Sequence, residues 1–61
     1  MLLTRIEAYL RKTGTAPTRF GRDAVRDPRL VHDMRRGRTP GGRMTERVVA
    51  YLVRSDVELG R

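Results

Sequence analysis

The sequence predicts an all-α protein, a compact domain of four to five short helices, and three observations predict it. Apolar residues recur at helical spacing near both ends of the chain. Proline and glycine signals cut the middle into short pieces, and strand-like alternation, internal repeats and low-complexity tracts are absent. The helices are expected at about 2–13, 17–25, 28–36 and 44–54, within one domain spanning 1–61.

In the first segment Leu2, Leu3, Ile6, Tyr9 and Leu10 fall on one face, with Arg5, Glu7, Arg11 and Lys12 on the other. Thr4 and Glu7 have capping-box spacing, although the leucines before them suggest an earlier start; Glu7 and Arg11 have the spacing of an i,i+4 pair. Gly14 ends this helix by taking the left-handed position that glycine adopts at low cost. The chain restarts at Thr15-Ala16-Pro17, where Thr15 or Thr18 offers a capping hydroxyl and Pro17 suits a first helical turn.

Phe20, Ala24 and Val25 form the apolar stripe of the second helix. Gly21, unfavourable inside a helix by about 1 kcal/mol, marks a place where another helix comes close. Asp27-Pro28 is the sharpest local signal: aspartate is a favoured N-cap, proline a favoured first residue, and the residue before proline is pushed out of helical geometry. A third helix therefore starts at Pro28, buries Leu30, Val31 and Met34, and stops at Gly37. Thr39-Pro40-Gly41-Gly42 is a bend, and Thr45 opens a fourth helix whose Val48, Val49, Tyr51, Leu52 and Val53 cover a broad face as the main partner of the first. After Ser55 the chain frays or adds a turn through Val57 and Leu59.

Length and composition narrow the function. A chain of 61 residues buries only about 60% of the surface its unfolded form exposes, which argues against a deep catalytic cleft. It has no cysteine and a single histidine, so no disulfide, zinc-thiolate or histidine cluster is expected, and no catalytic group, metal or cofactor is assigned. No apolar run approaches a membrane span of about 20 residues, and the opening residues do not form a signal sequence. A soluble, cytoplasmic protein is expected, without a small-molecule ligand.

The 14 basic residues outnumber 7 acidic ones, for a net charge of +7, and all but Lys12 are arginine. Arginine enrichment suits bidentate recognition of phosphate or guanine; it also accompanies a GC-rich genome. Its distribution is more telling than its total. Residues 19–43 hold eight arginines against three aspartates, five of the seven net positive charges, whereas residues 44–61 balance. A basic middle joined to a neutral end is the electrostatic footprint of a nucleic-acid-binding domain.

Two short helices joined by a tight turn and flanked by longer amphipathic ones form the arrangement of a helix-turn-helix. With Gly21 as the small residue at the helix contact, Val31 and Met34 lie ten and thirteen residues later, where such a motif needs apolar packing. Thr18 to Arg22 (Thr-Arg-Phe-Gly-Arg) and Asp27 to Arg29 (Asp-Pro-Arg) carry a resemblance to lambda-repressor-like (Cro/XRE-type) small bacterial helix-turn-helix proteins, over roughly residues 2–54. One departure is that Val25 stands where the family's turn glycine is usual, so the turn is expected to be longer or differently shaped.

The resemblance implies a DNA-binding transcriptional regulator, a repressor or an activator, associated with the nucleoid. If the third helix buries Leu30, Val31 and Met34, then Arg29, His32, Asp33 and Arg36 point outward as base-reading candidates. Arg29 is either a two-pronged donor to guanine or a solvated side chain near Asp27 or Asp33. His32 contacts a base or phosphate or lies idle at the surface, and Asp33 either accepts from cytosine or steadies Arg29 or Arg36, the second being preferred. Phosphate contacts are expected from Thr18, Arg19 and Arg22 near the start of the second helix, and from Arg35, Arg38 and Arg43 around the following loop. A domain this small is expected to bind double-stranded DNA as a homodimer on an inverted repeat, paired through the fourth helix or the tail.

Tyr9, Phe20 and Tyr51 lie on apolar stripes and are assigned to the core rather than to base stacking. Two other functions remain open from the residues alone: a small protein-interaction module, antitoxin-like or phage-encoded, and an arginine-rich RNA binder.

Overall fold

Glycines and prolines set the boundaries of four helices. The structure, a computed structural model, describes residues 1–58, with side chains through Ser55. The helices are Leu2–Thr13 (α1), Pro17–Val25 (α2), Leu30–Arg35 (α3) and Gly42–Glu58 (α4), and the described residues contain no strand. No helix among them is long and apolar enough to cross a membrane.

The first two helices occupy the residues expected of them. α1 ends at Gly14, left-handed at φ 72°, whose N–H donates to the Leu10 carbonyl at 2.8 Å. Its start uses neither the expected capping box nor any other side-chain cap, since the helix already runs from Leu2. α2 has Pro17 in its first turn, but Ala16 precedes it and no side chain caps it. The Thr15 hydroxyl instead lies 2.7 Å from that of Thr13, whose own hydroxyl reaches back to the Tyr9 carbonyl, so Thr15 finishes α1 rather than starting α2.

α3 is shorter than the sequence suggests. Pro28 and Arg29 belong to a turn, and the helix proper begins at Leu30. The reason lies in Asp27: its Oδ1 accepts from the Arg29 N–H at 3.0 Å and its carbonyl accepts from the Leu30 N–H at 3.1 Å. The aspartate thus closes an Asx turn before the helix forms. At the other end Gly37 (φ 109°) permits paired closing bonds, Gly37 N–H to the Met34 carbonyl and Arg38 N–H to that of Asp33, the arrangement of a Schellman motif.

α4 starts at Gly42, earlier than Thr45, because the Gly41 carbonyl already accepts from the Thr45 N–H at 2.9 Å. It continues as helix through Glu58, past the expected fraying point at Ser55; Leu59 lies outside the described residues.

One continuous core joins all four helices: Ile6 and Leu10 of α1, Phe20, Ala24 and Val25 of α2, Leu30, Val31 and Met34 of α3, and Val48 and Leu52 of α4. α2 packs against α3 and α4, and α1 divides its contacts between α3 and α4 rather than favouring the last helix. Tyr9, Phe20 and Tyr51 form an aromatic cluster, with Phe20 5.5 Å from each tyrosine ring and the Phe20–Tyr51 pair near-perpendicular at 89°. Such edge-to-face packing is favoured by the ring quadrupoles. The apolar face of α4 is narrower than expected. Val48, Leu52 and Ser55 are buried at helical spacing, whereas Val53, one residue round from Leu52, is 50% exposed.

Gly21 is the point of closest approach. A methyl group there would collide with the Asp27 carbonyl oxygen and lie 3.2 Å from Leu30 Cβ. The glycine is thus required by the turn that follows, although it costs helix propensity. Gly21→Ala should therefore destabilise the fold by about 1–3 kcal/mol despite alanine's better propensity, read as a lower urea midpoint at unchanged slope.

Candidate nucleic-acid interface

The burial of Leu30, Val31 and Met34 on one side of α3 fixes what the other side presents. Arg29, His32, Asp33, Arg35 and Arg36 line one open depression on the surface. Four of them, Arg29, His32, Asp33 and Arg36, are the residues the sequence assigns to base reading. Arg29, His32 and Arg36 are exposed, and Asp33 is half-buried.

Carboxylates divide the arginines around this face into two groups. Arg35 is held to Glu7 of α1 by two parallel bonds of 2.7 Å, from Nε to Oε2 and from Nη2 to Oε1. This fork-to-fork geometry draws the Glu7 carboxyl below the usual carboxylate range, first through the hydrogen bond and then through the charge of Arg35. Glu7 therefore pairs across the fold, with Arg35, rather than along its own helix with Arg11. Arg38 reaches back beneath the turn: its Nη1 lies 2.9 Å from Asp27 Oδ2 and 3.2 Å from Asp33 Oδ2, while its Nη2 is 3.6 Å from Met44 Sδ. One guanidinium thus ties the α2–α3 turn, the middle of α3 and the first turns of α4.

That clasp corrects the expected role of Asp33. Its carboxylate steadies an arginine, but the arginine is Arg38, beyond the end of the helix, and not Arg29 or Arg36. Arg35 and Arg38, assigned from the sequence to phosphate, are both committed to intramolecular ion pairs. Arg29 and Arg36 have no carboxylate within ion-pair distance among the described side chains.

The remaining phosphate candidates lie at the periphery. Thr18 and Arg19 are exposed near the start of α2, with Arg19 in a long 3.5 Å pair with Asp23, and Arg22 is in the last turn of α2 rather than the first. Arg43 stands in the first turn of α4 instead of a loop. Arg26, which the sequence left unassigned, is exposed in the turn, and it holds the left-handed conformation at φ 59°, one residue after the buried Val25 that ends α2. Its sequence carries no glycine or asparagine to signal that conformation.

The clasp makes stability acid-sensitive in a calculable direction. The Arg38 hydrogen bond is the largest influence holding the Asp27 carboxyl below its ordinary value. A carboxyl depressed in the folded state contributes stability above its unfolded pKa, about 4, and loses it as pH falls through the lower folded value. Asp27→Asn retains an acceptor for the Arg29 N–H but not the charge. The urea midpoint of the native protein should therefore fall between pH 6 and pH 2.5, and fall less in Asp27→Asn. Comparison with protein-family models, with curated proteins and with solved structures gave no match to this chain.

Proposed function

We propose that this protein binds double-stranded DNA sequence-specifically, with α3 in the major groove, and acts as a transcriptional regulator of the lambda-repressor-like type at the nucleoid. The observation that carries the reading is the division of the arginines. Arg35 and Arg38 are paired with Glu7, Asp27 and Asp33, while Arg29 and Arg36 flank His32 on an exposed face without a carboxylate partner among the described side chains. Cationic side chains left unpaired on the exposed side of a helix suit a polyanion with a groove of matching width. A net charge of +7 supports the same partner.

In this reading Arg29, His32 and Arg36 face bases, Asp33 acts through Arg38, and Arg22, Arg43, Arg19 and Thr18 lie toward the phosphates. Binding to duplex should weaken steeply as salt rises. Arg22→Ala and Arg43→Ala should each weaken all sequences alike and reduce the salt slope by about 1, in fluorescence anisotropy titrations at several salt concentrations. A salt-independent interaction, or a preference for single-stranded RNA over duplex, would overturn the reading.

The pairing surface we propose for a homodimer is the outer face of α4, where Val53 is 50% exposed and Val49 half-buried. These two valines, four residues apart, form an apolar ridge that the protein's own core does not use. Sedimentation on a duplex with two half-sites should show two protomers bound. Val53→Glu should reduce this to one without changing the thermal unfolding midpoint by more than a few degrees.

A further inference from the structure

We infer that α3 selects duplexes carrying two guanines about three base-pair steps apart, one held by Arg29 and the other by Arg36. This rests on the proposed function and specifies the sequence that the same face would choose.

The spacing comes from the backbone. Arg29 (φ −93°, ψ −2°) and Arg36 (φ −88°, ψ 0°) are the residues that cap α3 at its two ends, both in the right-handed region, so the helix spans the interval between them. Seven residues are close to two full turns, which brings the two side chains back to nearly the same direction. At about 1.5 Å per residue they are about 10.5 Å apart along the axis. With α3 laid along the duplex axis and a rise of about 3.4 Å per base pair, that distance covers about three steps.

The choice of base comes from the donor set. Guanidinium groups only donate, and their paired N–H groups need two neighbouring acceptors. In the major groove guanine presents O6 and N7 side by side, adenine sets a donor beside its N7, and cytosine offers a donor. His32 lies between the two arginines and presents a single imidazole edge, which one acceptor satisfies, so it adds little discrimination.

The groups that read other bases are missing or shared with the protein itself. Adenine is read most readily by the paired donor and acceptor of asparagine or glutamine, and the chain contains neither residue. Cytosine is read by a carboxylate. The carboxylate on this face belongs to Asp33, whose Oδ2 accepts from Arg38 and so ties the group toward the α2–α3 turn, leaving Oδ1 as its one unshared oxygen. The clasp that secures the helix thereby shares this carboxylate with Arg38 and weakens it as a competing reader.

Selection of bound duplexes from a random library by the full chain, at one fixed salt concentration, tests this directly. Two guanine positions about three steps apart should be enriched about tenfold or more. Arg29→Lys should weaken the preference severalfold at one position and Arg36→Lys at the other, because lysine keeps the charge and can still donate to guanine but lacks the planar fork. Affinity for unrelated duplex should remain within about twofold in both variants. Sites rich in A·T at those steps, or guanine enrichment unchanged by both lysine variants, would overturn the inference while duplex binding stands. If no duplex is retained at all, the proposed function fails, and this inference fails with it.

Discussion

The contact between the Asp27 carbonyl and the bare Cα of Gly21 is the constraint from which the rest of the molecule follows. It brings the end of α2 close enough for the Asp27 N–H to bond the Gly21 carbonyl at 3.0 Å, and it sets Leu30 against the same spot. From that fixed point the aspartate uses its remaining polar atoms in different directions. Its carbonyl and Oδ1 shape the turn into α3, and its Oδ2 receives Arg38 from beyond the helix. A helix of only six residues would be marginal alone, since nucleation is costly and few intrahelical bonds repay it. Here both ends are closed by neighbouring backbone, and one side is buried completely at Leu30 and Val31.

Electrostatics then follows from packing. Glu7, Asp27 and Asp33 lie where they can meet Arg35 and Arg38, so much of the negative charge around the core is spent inside the molecule. On the outward side of α3, Arg29 and Arg36 are left without a carboxylate partner among the described side chains. Net charge alone does not show this: an arginine-rich chain with its carboxylates scattered over the same face would have the same total and a weaker local field.

How much of this was legible in the sequence depended on the range of the interaction responsible. The end of α1 and the start of α2 were readable because Gly14 and Pro17 act locally, whereas the start of α1 was left open between Thr4 and the leucines before it. The inward residues of α3 were readable from spacing, and so was the close approach at Gly21. Its starting residue was not, because Asp27-Pro28 can open a helix directly or close a turn first, and the choice depends on where the Asp27 side chain finds its donor. The Glu7–Arg35 pair spans 28 positions and the Arg38–Asp27 pair 11, beyond any local pairing rule. The exposure of Val53 was hidden by a run of apolar residues that let the core-facing side of α4 be drawn too wide. The left-handed Arg26 was hidden for the opposite reason, since an arginine there gives no hint of unusual backbone.

Few side chains serve both scaffold and surface in α3. Leu30, Val31 and Met34 hold the helix in place, Asp33 and Arg35 anchor it to charged neighbours, and Arg29, His32 and Arg36 make no described side-chain bond to the rest of the chain. Substitutions at these three positions would therefore leave the architecture intact while changing what it contacts. Such a division lets gene duplicates diverge in target without passing through poorly folded intermediates, an evolutionary freedom built into a very small protein.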